Sequence, residues 1–232
     1  MTAEPRPLVC LPFAGSGAGF YRAWSRRPGH GVPVVPVQLP GREELFSEEP
    51  FTDVADAAAS LAPRVAELIA GAPQFAIFGH SLGAVLSYEI ARELRRLGRP
   101  GLAHLYVSGS PGPWTGRDDR ATGLGDEEFL KRVQEFAGYR HAAFDDPSLR
   151  ELLLPALRAD VAMHENYKPS SNEPLDVPVT SLRGADDALV TAREAREWRK
   201  ITWGPFSYRE LPGGHMYLAD APDVLLRALA RD

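Results

Sequence analysis

Three residues that lie far apart in this chain share a setting suited to covalent catalysis. Ser81 is the centre of Gly79-His80-Ser81-Leu82-Gly83, Asp187 follows a strand-like run at 177–183, and His215 closes Pro212-Gly213-Gly214-His215. A serine hydroxyl is a weak nucleophile at neutral pH and needs a base within hydrogen-bond reach. Histidine suits that role because its pKa lies near the operating pH, so it can take a proton and return it to a leaving group. A carboxylate then fixes the imidazole tautomer and stabilises the imidazolium. The tetrahedral oxyanion calls for backbone N–H donors, one from Leu82 directly after the serine and the other from Phe13 or Ala14.

Two of these assignments have competitors. Asp186 adjoins Asp187, and the spacing Gly184-x-x-Asp187-x-x-Val190 favours Asp187. His80 flanks the nucleophile, while His30, His104, His141 and His164 lack the Gly-Gly-His turn that marks His215. Neither H-E-x-x-H nor CxxC occurs, and a serine mechanism needs no metal.

The elements around these residues must place them together. The run 74–78 reads as a buried strand and 84–94 as a helix, so Ser81 stands at a strand–turn–helix apex, the context of a nucleophile elbow. Leu8-Val9-Cys10-Leu11-Pro12-Phe13 reads as the first strand and leads into Ala14-Gly15-Ser16-Gly17-Ala18-Gly19. A dinucleotide fingerprint there fails at Phe20, and no phosphate-binding Gly-Lys-Ser/Thr exists, so the loop reads as a source of oxyanion donors. Residues 32–39 form a second β-rich run whose Pro33 and Pro36 suit a sheet edge. A helix capped by Thr52 or Asp53 follows, with Pro63 expected to kink or split it. Further strands are read at 103–108, 177–183 and 206–211, and helices at 192–198 and 222–230.

Ser81, Asp187 and His215 each follow a predicted strand. Alternating strands and helices imply a mostly parallel sheet covered on both faces, and chemistry collects at the carboxyl ends of such strands. The order serine, acid, histidine is that of α/β-hydrolases. One α/β domain over 1–232 is expected, interrupted at about 113–172 by a helical insertion that reads either as a lid over the active site or as a packed structural subdomain. Within it Phe129, Val133 and Phe136 share one helix side. A second helix starts at Asp146-Pro147, carries Leu149, Leu152, Leu153, Ala156, Leu157 and Val161, and should bend at Pro155. Arg92, Arg95, Arg96 and Arg99 end the elbow helix. They read as a solvated face favoured by the helix dipole, with a docking patch for an acidic partner as the alternative.

Composition narrows the function class. A net charge of −5 and the lack of basic runs interleaved with aromatics argue against nucleic-acid binding. No apolar stretch approaches the length of a membrane span. The start lacks the apolar core of a signal peptide. The single Cys10 allows no internal disulfide and reads as a buried, inert thiol. The expectation is a cytoplasmic protein without nucleic-acid or membrane partners.

The chain resembles the stand-alone type II thioesterases of polyketide and non-ribosomal peptide synthesis. Leu11-Pro12-Phe13-Ala14-Gly15, Gln38-Leu39-Pro40-Gly41-Arg42-Glu43, the elbow, Leu152-Leu153-Leu154-Pro155-Ala156-Leu157-Arg158-Ala159-Asp160 and Gly213-Gly214-His215-Met216 carry the resemblance. The second and fourth are the most specific. The resemblance implies hydrolysis of acyl thioesters on the phosphopantetheine arm of acyl or peptidyl carrier proteins, clearing stalled or wrongly primed acyl groups. It implies no cofactor beyond that arm, a lid that shapes an acyl channel, and a monomer. Leu82 stands where methionine is more usual, and Ser108-Gly109-Ser110-Pro111-Gly112-Pro113 replaces a more basic segment. The competing readings are a carboxylesterase, lipase or acyltransferase with the same triad, and a non-catalytic carrier-binding module.

Overall fold

A computed structural model describes residues 6–27, 31–116, 120–137 and 142–231. Its elements in chain order are β1 (Leu8–Leu11), α1 (Ala18–Ser25), β2 (Val34–Pro36), α2 (Val54–Leu68), β3 (Phe75–His80), α3 (Leu82–Arg96), β4 (Leu102–Ser108), α4 (Asp126–Ala137), α5 (Pro147–Glu165), β5 (Val179–Gly184), α6 (Ala192–Arg196), β6 (Phe206–Leu211), α7 (Tyr217–Asp220) and α8 (Pro222–Leu229). Six strands pair in the order β2-β1-β3-β4-β5-β6, and every pairing is parallel. This is the α/β-hydrolase architecture expected above.

Alternation along the strands explains why both faces are covered. Val9, Leu11, Phe75, Ile77, Leu105 and Val107 point into one apolar layer, together with α2, α3 and Trp198. Leu8, Cys10, Ala76, Phe78 and Tyr106 point into the other, with Tyr21, Trp24 and the α8 leucines. Side chains of period two therefore serve two cores, and a central strand reads as a continuous apolar run. Strand order reverses at β1, whose neighbours are β2 and β3. Ligands in open parallel sheets bind outside the carboxyl ends at such a switch point. The loops after β1 and β3 both emerge there.

Several elements are shorter than the sequence suggests. β1 ends at Leu11, two residues before Phe13, and β2 keeps only three residues at the sheet edge. Neither proline splits its helix: α2 runs through Pro63 and α5 through Pro155. Both prolines are exposed, as are Ala59 and Glu151 one turn earlier. The carbonyls that lose a helical partner therefore face water, while the opposite sides of the helices stay packed. Asp53, not Thr52, caps α2, accepting from the N–H groups of Ala55 and Asp56.

The arginines of α3, and Arg99 just beyond it, make bonds within the fold. Arg99 donates to the carbonyls of Ile69 and Ala72 just past α2. Arg92 donates to the Glu173 carbonyl, Arg95 pairs with Glu173, and Arg96 pairs with Glu93. Arg99 closes the end of α2 and Arg92 ties down the chain returning from the insertion, while Arg95 and Arg96 stay exposed, as a solvated face has it. Among the described residues no helix is long and apolar enough to cross a membrane.

The segment between β4 and β5 holds α4 and α5. Ala121, Phe129, Leu154 and Leu157 form a small separate core beneath it. Arg158 clamps the two helices, donating to Asp126 and lying 4.3 Å over the Phe129 ring. Arg150 adds an ion pair to Glu127.

The tightest fit is between α3 and the strands. A methyl group on Gly83 meets the Leu11 carbonyl oxygen at 2.5 Å, and one on Gly79 meets the Gly83 carbonyl oxygen at 1.8 Å. Gly83→Ala is therefore expected to lower the unfolding free energy by about 1–3 kcal/mol or more. Urea unfolding followed by circular dichroism measures this, and an unchanged midpoint rules out the close approach as a constraint.

Candidate active site

Ser81 owes its position to backbone geometry. It joins β3 to α3 with φ 54° and ψ −117°, a left-handed conformation that side chains other than glycine rarely adopt. Such strain costs on the order of 1–3 kcal/mol and persists only where surrounding structure over-determines it. Here β3 is held between β1 and β4, Ser81 N–H donates to the Ser108 carbonyl at 2.8 Å, and α3 is buried along most of its length. The glycines two before and two after Ser81 let strand and helix backbones touch.

Asp187 and His215 meet beyond the carboxyl ends of β5 and β6. His215 Nδ1 lies 2.8 Å from Asp187 Oδ2, and both residues are buried. Asp187 Oδ1 accepts the N–H groups of Leu189 and Val190 at 2.8 and 3.1 Å. Burial pushes the Asp187 carboxyl up, but the hydrogen bond and charge of His215 and these two N–H groups outweigh it, leaving the pKa below its ordinary value. Asp186 is exposed, and its N–H donates to the Gly213 carbonyl. The turn is pinned by Arg183, which donates to the carbonyls of Ala185, Asp187 and Val190. Nothing in the strand pattern singled out Arg183.

Ser81 and His215 line one small cavity of about 80 Å³ with Phe13, Ala14, His164 and Leu189. Phe13, Ala14, Val133 and Met216 also wall a neighbouring chamber of about 460 Å³. That chamber reaches Phe144, Leu153 and Leu157, with charged groups such as Arg42, Glu127 and Arg150 also in its wall. Small residues of the β1 loop and helices of the insertion thus enclose a mainly apolar space beside the serine.

The remaining histidines have other surroundings. His80 is fully buried, bonds Ser108 Oγ through Nδ1 at 2.8 Å, and lies 4.7 Å from the His215 ring. Ser108 Oγ in turn meets the Tyr217 hydroxyl at 2.6 Å. Burial, then the neighbouring His215 and His164, hold the His80 pKa well below the usual value, so it is a neutral wall for His215. His104 bonds Thr180 on the sheet. His164 does reach the Ser81 cavity from α5, which the sequence reading missed for want of any local motif. His30 and His141 lie outside the described residues. Cys10 is buried in β1, and burial pushes its thiol well up, away from reactivity.

A buried ion pair also escaped the sequence reading, although both partners stand in its most specific segments. Arg42 forks onto Asp160 of α5, Nη1 to Oδ2 at 2.5 Å and Nη2 to Oδ1 at 2.9 Å. Charge partners 118 residues apart have no local signature.

The family model for the thioesterase domain matches residues 6–232. The chain belongs to the thioesterase family. The thioesterase is 34% identical over 226 residues to the gramicidin S biosynthesis protein GrsT of Aneurinibacillus migulanus, across 97% of this chain and 87% of that protein. Among solved structures it resembles RedJ, a thioesterase of the prodiginine pathway in Streptomyces coelicolor. There the identity is 38% and the TM-score 0.89, over 99% of this chain and 91% of the other. It also resembles BorB, a type II thioesterase from the borrelidin biosynthetic cluster, at 34% identity and TM-score 0.86, over 99% and 93% of the two chains.

Because the folded Asp187 carboxyl is more acidic than in the unfolded chain, it contributes stability above the unfolded pKa of about 3.9. That contribution is lost as pH falls through the lower folded value. Asp187→Asn is expected to flatten the acid limb of the stability–pH curve below about pH 4. Urea melts between pH 3 and 6 measure it; identical slopes in the two proteins rule out the coupling.

Proposed function

We propose that this thioesterase hydrolyses acyl thioesters on the phosphopantetheine arm of acyl or peptidyl carrier proteins, removing stalled or wrongly primed groups from a polyketide or non-ribosomal peptide synthase. The observation that carries the reading is the shared wall between the Ser81–His215 cavity and the larger apolar chamber. A carbonyl seated at Ser81 leaves its acyl chain facing that chamber. The names and pathways of GrsT, RedJ and BorB support the carrier-bound substrate.

The chemistry follows from the residues. Ser81 Oγ attacks the thioester carbonyl carbon while His215 Nε2 takes its proton, and Asp187 holds Nδ1–H and stabilises the imidazolium. The N–H groups of Leu82, at the start of α3, and Phe13 or Ala14 receive the oxyanion. Collapse breaks the C–S bond, and His215 returns the proton to the departing pantetheine sulfur. A thiol, with a pKa near 8.5, leaves more readily than an alcohol. Water then repeats the sequence on the acyl-serine, releasing the acid and restoring Ser81. The chain's own groups suffice, with no resident cofactor. The enzyme acts as a cytoplasmic monomer, with α4 and α5 as a lid over the acyl chain.

A panel of acyl groups on an isolated carrier protein tests this. Ser81→Ala and His215→Ala are expected to lower turnover by on the order of 10⁴–10⁶-fold, and Asp187→Asn by about 10⁴-fold. Asp186→Asn is expected to stay within a few-fold. Turnover independent of Ser81 sinks the mechanism. Faster cleavage of simple esters than of carrier thioesters points to an esterase, and carrier binding without turnover to a binding module.

A further inference from the structure

The loop that follows β1 has little of its own to hold it. Ala14, Gly15, Ser16 and Gly17 offer no large side chain, and Gly15 adopts φ +77°. Yet a backbone donor is useful to an oxyanion only if it is placed to within a fraction of an ångström. The Phe13 carbonyl is pinned locally by the Ser16 N–H and hydroxyl, each at 2.9 Å. What fixes the loop against the rest of the molecule comes from two distant segments.

We propose that the Arg42–Asp160 pair is the positioning device of the oxyanion loop, so that α5 completes the site as well as covering it. Asp160 Oδ2 accepts the Gly15 N–H at 2.8 Å, and Arg42 Nη1 donates to the Ser16 carbonyl at 3.1 Å. One ion pair thus grips a donor and an acceptor on adjacent residues of the loop. Arg42 is itself held, donating through Nε to the Pro40 carbonyl while its own carbonyl accepts from Gln38 Nε2. Arg42 is 6% and Asp160 1% exposed, so water does not substitute for either. A well-packed apolar pair in such a place is often as stable as an ion pair, but it could not reach two backbone polar groups. Glu43 continues the clamp, its carboxylate accepting the Gly19 N–H at the start of α1. Since Asp160 belongs to α5, a displaced α5 withdraws the acceptor that holds Gly15, and the second oxyanion donor loses its place.

The inference rests on Ser81 as nucleophile and not on the identity of the acyl group, so the test uses a chromogenic acetate ester and a fluorophosphonate that labels Ser81. An acetyl group is too short to sample the chamber that Arg42 helps to line. Asp160→Asn keeps the shape but presents an NH₂ to either Arg42 or Gly15. It is expected to lower kcat and the labelling rate in parallel by about 10–100-fold, with KM within about twofold. Arg42→Lys keeps one charge but loses the fork, and a smaller loss in the same two quantities is expected. Folded variants with kcat and labelling within twofold of the native enzyme overturn the proposal. So does loss of the cooperative melt in both variants, which makes the pair a stability element only. A native enzyme that fluorophosphonate does not label at Ser81 overturns the nucleophile and this inference together. Labelling without carrier-thioester hydrolysis overturns the substrate class alone.

Discussion

Ser81 occupies a backbone conformation that costs energy, and the architecture on either side of it supplies the restraint. β3 is locked between two parallel neighbours, and α3 is packed so closely that Gly79 and Gly83 leave no room for a methyl group. Relaxing the turn means separating α3 from β1 and β3, which exposes part of the larger core. That coupling keeps a locally unfavourable φ in place. It also places Ser81 in the wall of the small cavity and starts α3 directly after it, where the first N–H groups of the helix have no helical acceptor.

A parallel sheet brings distant loops to one edge but does not by itself place them accurately. In this protein that accuracy comes from arginines bonded to backbone carbonyls. Arg183 holds the turn that presents Asp187, and Arg42, with Asp160, holds the loop that carries Phe13 and Ala14. Both use a planar fork of donors, which a lysine cannot reproduce. Buried charge of this kind adds little net stability once desolvation is counted. Its value lies in direction, because each bond fixes one atom relative to another.

The insertion has two attachments of different character. α4 is joined to α5 through ion pairs that include exposed partners and through a small core of its own. α5 is anchored to the body by the buried Asp160, and the chain after it by Glu89, which accepts from Tyr167 and Ser170. The larger chamber lies between α4, α5 and the loop after β1. Its shape therefore depends on the two helices of the insertion more than on the sheet, and side-chain changes there can alter it without touching Ser81, Asp187 or His215.

By itself the sequence determined the strand–turn–helix at Ser81, the parallel two-faced sheet and the helical insertion, and it singled out Asp187 and His215, which the fold brings within 2.8 Å of each other. Each of these rests on a local signal: a run of period two, glycines at fixed offsets, or a turn directly after a strand. Strand ends and the tolerance of Pro63 and Pro155 were less legible, because they depend on which side of a helix or strand meets water. Arg42, Asp160, Arg183 and His164 carried no local signal of what they touch. Their partners are brought to them by folding, and a hydrogen bond across 118 residues is a property of the tertiary structure alone. The sequence supplied the groups that can move protons, whereas only packing decided how accurately they, and the backbone donors beside them, are held.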